Sequence, residues 1–444
     1  MSRPAPEMVI AGGRIIDPAA SLDIEGDLYI AGGRIVRIES IGRIPAGVRS
    51  FDARGMIVCP GFVDLHTHLR FPGFPAKETL ESAGAAAAAG GFTTVCAMAN
   101  TRPVVDRVEV LDLITSEARR ATSVRVRQLG AVSVDLAGER LTDMTALAAQ
   151  GAVAFSDDGM PVWNESLMRA ALAMSAILRK PVSVHEEDRA VVGSGVANAG
   201  ERALRLGLEP WPCAGEASMV ARDVELLAES GGHLHVAHVS CRETVEEIRR
   251  AKARGLRITA EVTPHHLCLD EQLLDGDLTT GLTAAHPCVK VNPPLRTRQD
   301  SQALLIGLID GTIDAVATDH APHAATDKEG AFQQAAFGFS ALETALPLLL
   351  GLVRDRRLDL MTMIDRLTRG PATVFHLPGG TLRVGAPADV CVFDPDEPWT
   401  VTAESLHSRG KNTPLLGREM LGRVRMTIVG GRVTYQGNAE PAVP

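Results

Sequence analysis

The chain has few aromatic residues: two Tyr and three Trp, with Phe, Tyr and Trp together 4% of 444 residues. The net charge is −9, and no basic stretch is interleaved with aromatics. Both facts argue against nucleic acid as a partner. No window of about 18 uninterrupted apolar residues occurs, so nothing is expected to span a membrane. Residues 1–9 lack the apolar core of a secretory signal. The seven cysteines (59, 96, 213, 241, 268, 288 and 391) are odd in number and include no CxxC pair. A disulfide framework and a Cys-rich zinc site are therefore not expected, and a reducing cytoplasm is. Phosphate loops are missing as well. Gly193-Ser194-Gly195 does not complete GxGxxG, and no GxxxxGK[ST] occurs, which weighs against an open nucleotide-binding sheet.

What is present is ample apolar residue, 45% of the chain, arranged in two textures. Val9-Ile10-Ala11-Gly12-Gly13-Arg14-Ile15-Ile16 reads as strand, Gly-Gly turn, strand. Ile30-Ala31-Gly32-Gly33-Arg34-Ile35-Val36 and Ile428-Val429-Gly430-Gly431-Arg432-Val433 repeat the pattern. Gly-Gly supplies the positive φ that a tight hairpin needs. Ala388-Asp389-Val390-Cys391-Val392-Phe393 adds a further strand. A small β-sandwich built from both chain ends, residues 1–56 and 379–444, is expected.

Between them, residues 57–378 alternate apolar runs with helical patterns such as 79–89 and 221–229. Eight runs fall at 62–69, 93–98, 123–129, 152–157, 182–185, 234–239, 258–262 and 315–318. Buried runs alternating with helices predict a parallel sheet, and eight of them predict a closed (β/α)8 TIM barrel, an α/β fold.

Barrel enzymes place their chemistry at the C-terminal ends of the strands. The first run ends in Asp64-Leu65-His66-Thr67-His68. Residues i and i+2 of a strand point the same way, so His66 and His68 both face the barrel mouth and can share a metal ion. His185, His238 and Asp319 close the fifth, sixth and eighth runs. The fourth supplies Asp157-Asp158-Gly159. Two hard metal ions roughly 3.5–4 Å apart need a bridging anion. No lysine lies near this strand, so an aspartate serves, and the residue types alone do not choose between Asp157 and Asp158. Asp64 is expected to face the core and orient a ligand histidine. His320, His265 and His266 are expected to be structural or supporting. The stretch 324–335 is expected to be a mobile loop over bound substrate.

Several segments together resemble the dihydroorotases of the amidohydrolase superfamily. Gly61-Phe62-Val63-Asp64-Leu65-His66-Thr67-His68-Leu69-Arg70 is similar to that family's first signature, and Thr318-Asp319-His320-Ala321-Pro322-His323 to its second. Asn100-Thr101-Arg102-Pro103, Ala154–Gly159, Asn292-Pro293-Pro294-Leu295-Arg296, Phe337-Gly338 and Gly410-Lys411-Asn412-Thr413-Pro414 match further segments. The resemblance is to the bacterial long-chain branch with an aspartate bridge. It departs from the family pattern at Phe71, where glutamate is usual, and at Ala99, Glu186 and Ala336.

The resemblance implies two zinc ions, one held by His66, His68, Asp158 and Asp319 and the other by Asp158, His185 and His238. It makes Asp158 the bridge and Asp319 the catalytic base and acid. Arg70, Asn100 and His323 would bind the substrate carboxylate, and Asn292 with the Phe337-Gly338 backbone the ring. The implied reaction interconverts N-carbamoyl-L-aspartate and L-dihydroorotate in pyrimidine (UMP) biosynthesis. A cytoplasmic homo-oligomer acting on a small molecule, with or without aspartate carbamoyltransferase, is the implied setting. The rivals are a hydantoinase, dihydropyrimidinase or allantoinase, and a catalytically silent scaffold for that transferase.

Overall fold

The computed structural model describes residues 5–437; residues 1–4 and 438–444, the outer tips of the two end segments, lie outside the described residues. Both chain ends build one sheet. Its order is Arg432–Gln436, Glu419–Val429, Val390–Thr400, Ile57–Pro60, Met8–Asp17, Leu22–Ala31 and Arg34–Glu39, with Arg49–Asp52 also paired to Met8–Asp17. Strand Val390–Thr400 runs antiparallel to Ile57–Pro60 with Cys391 opposite Cys59, and so joins the two ends. The inner face encloses its own core, including Ile10, Leu28, Val58, Val390 and Ile428.

The Gly-Gly pairs separate into two kinds. Gly32-Gly33 and Gly430-Gly431 have positive φ at both positions and form two-residue hairpins, as expected. Gly12-Gly13 does not turn the chain. Only Gly12 has positive φ, and the register shifts between Ile10 and Gly13 inside the continuous strand Met8–Asp17. The pair is a bulge. It lets residues 8–11 pair with Arg49–Asp52 and residues 14–15 with Ile57–Val58, so the sheet bends at this point.

The barrel uses the eight expected positions. Regular strands are Phe62–Thr67, Phe92–Ala97, Arg125–Gln128, Val182–Val184, Leu234–Val236, Ile258–Val262 and Ala315–Val316. The fourth run forms isolated bridges instead, with Phe155 paired to Gly130 on one side and Val182 on the other. Its backbone is still bonded on both flanks, Val153 N–H to the Gln128 carbonyl and Ser183 N–H to the Phe155 carbonyl. A parallel bridge between Thr67 and His320 closes the ring. The outer helices follow local signals. Leu80–Ala89 begins at a capping box between Thr79 and Ser82, a device that stabilises a helix by about 1 kcal/mol. Ala83, Ala86 and Ala87 are buried, and such short side chains let a helix lie close to the sheet.

Below the barrel, His233 is buried with Nε2 2.8 Å from Thr259 Oγ1 and no hydrogen-bond partner for Nδ1. Burial first, and then the neighbouring His235, Arg257 and His376, push its pKa down to about 3. As pH falls from 6.5 toward about 3 the unfolded chain takes up this proton and the folded chain does not, so stability is lost across that window. In urea melts over that range, His233→Asn is expected to recover up to about 4 kcal/mol of the acid loss. Parallel pH profiles for the two proteins would refute this.

Candidate functional site: a histidine–aspartate cluster at the barrel mouth

The strand ends deliver the histidines to one point, and the neighbours of each ring decide what its inner nitrogen presents. His66 Nδ1 lies 2.8 Å from Glu261 Oε1, so that nitrogen carries the proton and donates it. Its Nε2 lone pair then faces Asp158 Oδ1 at 3.2 Å and Asp319 Oδ1 at 3.5 Å. His68 is fixed in the same way. The Asn100 amide nitrogen donates to the Asp158 carbonyl and Oδ2, each at 3.2 Å, which leaves Asn100 Oδ1 to accept from His68 Nδ1 at 3.1 Å. His68 Nε2 then faces Asp319 Oδ1 at 3.1 Å and Asp158 Oδ2 at 3.5 Å. His185 donates Nε2–H to Glu187 Oε2 at 3.3 Å and turns Nδ1 toward Asp158 Oδ1 at 3.6 Å. His238 Nε2 stands 3.7 Å from the same oxygen.

Lone pairs and carboxylate oxygens therefore converge in a buried space. Asp158 Oδ1 and His66 Nε2 have no hydrogen-bond partner despite their proximity. Such an arrangement is unfavourable unless a cation or a proton sits among the acceptors. Within the isolated chain the proton answer dominates. Burial disfavours a charged His66, yet Asp158 and Asp319 outweigh it and hold its pKa well above the ordinary histidine value. The donor set of imidazole and carboxylate also suits a divalent zinc-like ion. His66, Asp158 and His238 form one group able to hold an ion, and His66, His68 and Asp319 another, each with ligand atoms within 4.8 Å. The residues fit the group.

Of the two aspartates left open by the sequence, the cluster contains Asp158. Asp157 turns away and accepts the backbone N–H groups of Val132 and Ser133 at 2.7 and 3.0 Å and the Ser133 hydroxyl. Asp64 departs from expectation. It binds no ligand ring but accepts from the His66 backbone N–H and from Thr318 N–H and Oγ1, which ties the first strand to the eighth. The ring-orienting acid is Glu261, which sequence reasoning missed. The available signal was a fully buried acid inside the apolar run 258–262. Arg70, His238 and Asp319 all have positive φ, at 59°, 33° and 46°. Each such residue costs about 1–3 kcal/mol and persists only where its surroundings over-determine it.

A cavity of about 250 Å³ opens beside the cluster. Arg70, Asn100, Asn292, His323, Phe337 and Gly338 all line it, as do His68, Asp158, His185, His238 and Asp319; His66 lies wholly beneath. Arg70 donates Nε–H to the Pro322 carbonyl at 3.1 Å. Among the described residues no carboxylate pairs with it, and burial lowers its pKa. Asn292 donates to Glu187 Oε2 at 2.8 Å while its Oδ1 is unpartnered. His323 donates Nε2–H to the Phe337 carbonyl at 2.8 Å, and burial holds its pKa far below 6.5, so the ring is neutral. Phe71, the departure beside Arg70, does not line this cavity. It packs on the main core and faces a separate pocket with Gly73, Pro75 and Leu80.

The segment after His323 is anchored in this structure. Ala325–Lys328 forms a 3-10 helix. The Lys328 ammonium donates to the carbonyls of Pro287, Lys290 and Ala336 at 3.2, 3.0 and 2.6 Å. It thereby ties the segment carrying Asn292 to the one carrying Phe337 and Gly338. Asp327 faces His323 Nδ1 at 3.3 Å, with Lys77 Nζ donating to both. Asn412, from the C-terminal motif, accepts from His323 N–H at 2.8 Å and donates to the carbonyls of Ala321 and Gly338. His266 accepts the expected supporting role, with Nε2 3.0 Å from the Pro293 carbonyl. His320 Nδ1 accepts from Ala341 N–H. Neither ring nitrogen of His265 has a hydrogen-bond partner among the described residues.

Comparison with known proteins places the chain in a family. The dihydro-orotase-like family model matches residues 55–244. A dihydroorotase of Anaeromyxobacter sp. (strain K) is 48% identical over 97% of this chain and 98% of its own length. One of Syntrophus aciditrophicus is 45% identical over 97% and 99%. Among solved structures, an L-hydantoinase (dihydropyrimidinase) from Arthrobacter aurescens matches with a TM-score of 0.85 and 25% identity, over 97% of this chain and 96% of that one. A D-hydantoinase (dihydropyrimidinase) from Thermus sp. matches at 0.82 and 28%, over 97% and 95%. With near-complete coverage by relatives of this identity, the chain belongs to the dihydroorotase family.

Proposed function

We propose that this chain is a dihydroorotase: a two-zinc cyclic amidohydrolase that interconverts L-dihydroorotate and N-carbamoyl-L-aspartate in pyrimidine biosynthesis. One observation carries the reading. The inner nitrogens of four histidines converge on Asp158, beside a cavity lined by the Arg70 guanidinium, which pairs with no carboxylate among the described residues. His66, His68, Asp158 and Asp319 would hold one ion, and Asp158, His185 and His238 the other. When bound, such ions lower the pKa of water and polarise the scissile carbonyl.

The chain's own residues do the rest. Burial would raise the Asp319 pKa, but His66, His68 and His238 hold it well below the carboxylate range, so Asp319 carries no proton of its own. It takes one from the attacking water and passes it to the leaving ring nitrogen. Arg70 grips the substrate carboxylate, with neutral His323 beside it. Asn292 Oδ1 accepts a ring N–H, and the Phe337-Gly338 backbone closes the far side. Asn100 acts chiefly through His68 and Asp158. The same proposal includes the division at residues 57 and 378, a cytoplasmic setting supported by free cysteines, and a homo-oligomer, with or without aspartate carbamoyltransferase. No helix among the described residues is long and apolar enough to cross a membrane.

The hydantoinase-like structures favour a second reading, hydrolysis of an uncharged ring. Arg70 distinguishes the two, since dihydrouracil, hydantoin and allantoin carry no carboxylate to pair with it. Turnover of dihydroorotate and these three should show dihydroorotate strongly preferred. Arg70→Met should lose roughly 100-fold in kcat/KM, mostly through KM. A preference for any neutral ring overturns the assignment. A silent scaffold would bind less than one zinc per chain and show no turnover.

Lys328→Met should raise KM about tenfold at unchanged zinc content, because it frees the two segments that shape the cavity. Lys328→Arg should recover part of the loss. Equal effects on KM and on zinc binding would mean that Lys328 supports the whole fold rather than the substrate side.

A further inference from the structure

Two thiols outside the cavity converge from the starts of two helices. Cys213 is the N-cap of Ala214–Ser230 and Cys241 the N-cap of Arg242–Ala253. Their sulfurs and the Glu243 carboxylate lie within 4.8 Å of one another. Cys213 is partly exposed and Cys241 buried. Cys241 Sγ lies 3.5 Å from Glu216 Oε1.

The cluster has the composition of a cation site, but its surroundings oppose one. Glu243 is exposed and already paired with Arg242 at 3.1 Å. Arg296 is fully buried, and its charge acts on both sulfurs. Its Nη2 has no hydrogen-bond partner. A guanidinium and helix N-termini stabilise a thiolate instead. The Cys213 pKa is accordingly lowered, first by the hydrogen bond from the Cys241 thiol and further by Arg296, against the effect of burial.

We propose that Cys213 and Cys241 form a reversible dithiol–disulfide site for low-molecular-weight disulfides of the glutathione class, coupled to His238. The Cys213 thiolate attacks one sulfur of the oxidant and expels the first thiolate, which takes up the proton Cys213 had released. Cys241 gives its proton to Glu216 and attacks the Cys213 sulfur of the mixed disulfide, expelling the second thiolate, which is protonated in turn. Two protein S–H bonds are lost, one S–S bond forms, and the oxidant is reduced to two thiols. Closing the sulfurs to about 2 Å draws on a short segment. That segment begins at His238, three residues before Cys241. Ser240 within it donates N–H to Glu216 and accepts from Arg296 Nε at 3.1 Å.

Cys59 and Cys391 are an internal control. They face each other across the sheet, yet both are fully buried and burial raises the Cys59 pKa well above 9.

Glutathione disulfide applied to the zinc-loaded protein, followed by alkylation and trypsin, tests the proposal. Cys213 and Cys241 fall in adjacent peptides, 206–222 and 223–242, each with a single cysteine. These should appear cross-linked, about 2 Da lighter than the two reduced peptides together. Dithiothreitol should release them, and Cys213→Ser should abolish the product. Dihydroorotate turnover should fall roughly tenfold or more on oxidation, as expected when a ring at the reacting centre is displaced. It should recover on reduction, while Cys213→Ser keeps the reduced-state rate and resists the oxidant. Both thiols remaining alkylatable, a mixed disulfide at Cys213 that never resolves, or a Cys59–Cys391 product in its place overturns the site. Full cross-linking with an unchanged rate overturns the coupling to His238.

Discussion

Asp319→Asn is expected to lower kcat for dihydroorotate by about 10³-fold or more while leaving the protein folded. The amide keeps the shape of the carboxylate but cannot take a proton. Asp319 Oδ1 stands 3.1 Å from His68 Nε2 and 3.5 Å from His66 Nε2, so the substitution also removes a negative charge that these rings face. The two effects separate when zinc content is measured on the same samples. Loss of rate at retained zinc assigns the proton transfer to Asp319. A variant within tenfold of the parent rate would remove Asp319 from the chemistry and leave it a ligand only.

Glu261→Gln is expected to weaken zinc binding by about 10–100-fold, with turnover at limiting zinc falling in proportion and excess zinc restoring it. Glu261 accepts from His66 Nδ1 at 2.8 Å and from His235 Nε2 at 3.1 Å. Burial opposes its ionisation, but His235 and His66 together bring its pKa down to about 2. Its charge therefore raises the basicity of His66 Nε2 and fixes that ring's tautomer. Glutamine can still accept one hydrogen bond but brings no charge. Unchanged zinc affinity in the variant would show that the ring's packing, not the carboxylate, sets its basicity.

These two residues mark where the sequence is readable and where it is not. Asp319 follows the eighth apolar run, and the alternation of strands and helices directs it to the barrel mouth, while its role comes from the resemblance. His66 and His68 are legible because a two-residue step along a strand fixes their shared direction. Glu261 is not, since its meaning depends on a histidine 195 positions away. Asp157 and Asp158 look alike locally and are separated by the backbone N–H groups of Val132 and Ser133, which capture only the first. Lys328 reads as one charge in a polar loop until three carbonyls from two other segments are brought to it. Gly12-Gly13 matched its hairpin counterparts in letters and differed in φ, because the strands flanking it pair outward rather than with each other. Phe71, a departure from the family pattern, is adjacent to Arg70 in sequence yet faces another space.

The sheet that joins the chain ends has a consequence for synthesis. The Asp17 carboxylate accepts from Leu382 N–H, 365 positions later, and Cys59 waits for Cys391 to complete its ladder. On the ribosome the first strands can pair among themselves, but Ile57–Pro60 emerges long before its other partner, Val390–Thr400, exists. These early strands must stay soluble, with unpaired edges, for at least roughly 20 s at about 5–20 residues per second. The first barrel strand, which carries His66 and His68, is continuous with that unfinished sheet. Positioning of His66 and His68 is thus expected late in folding, and nascent chains stalled before residue 390 should be prime clients for chaperones.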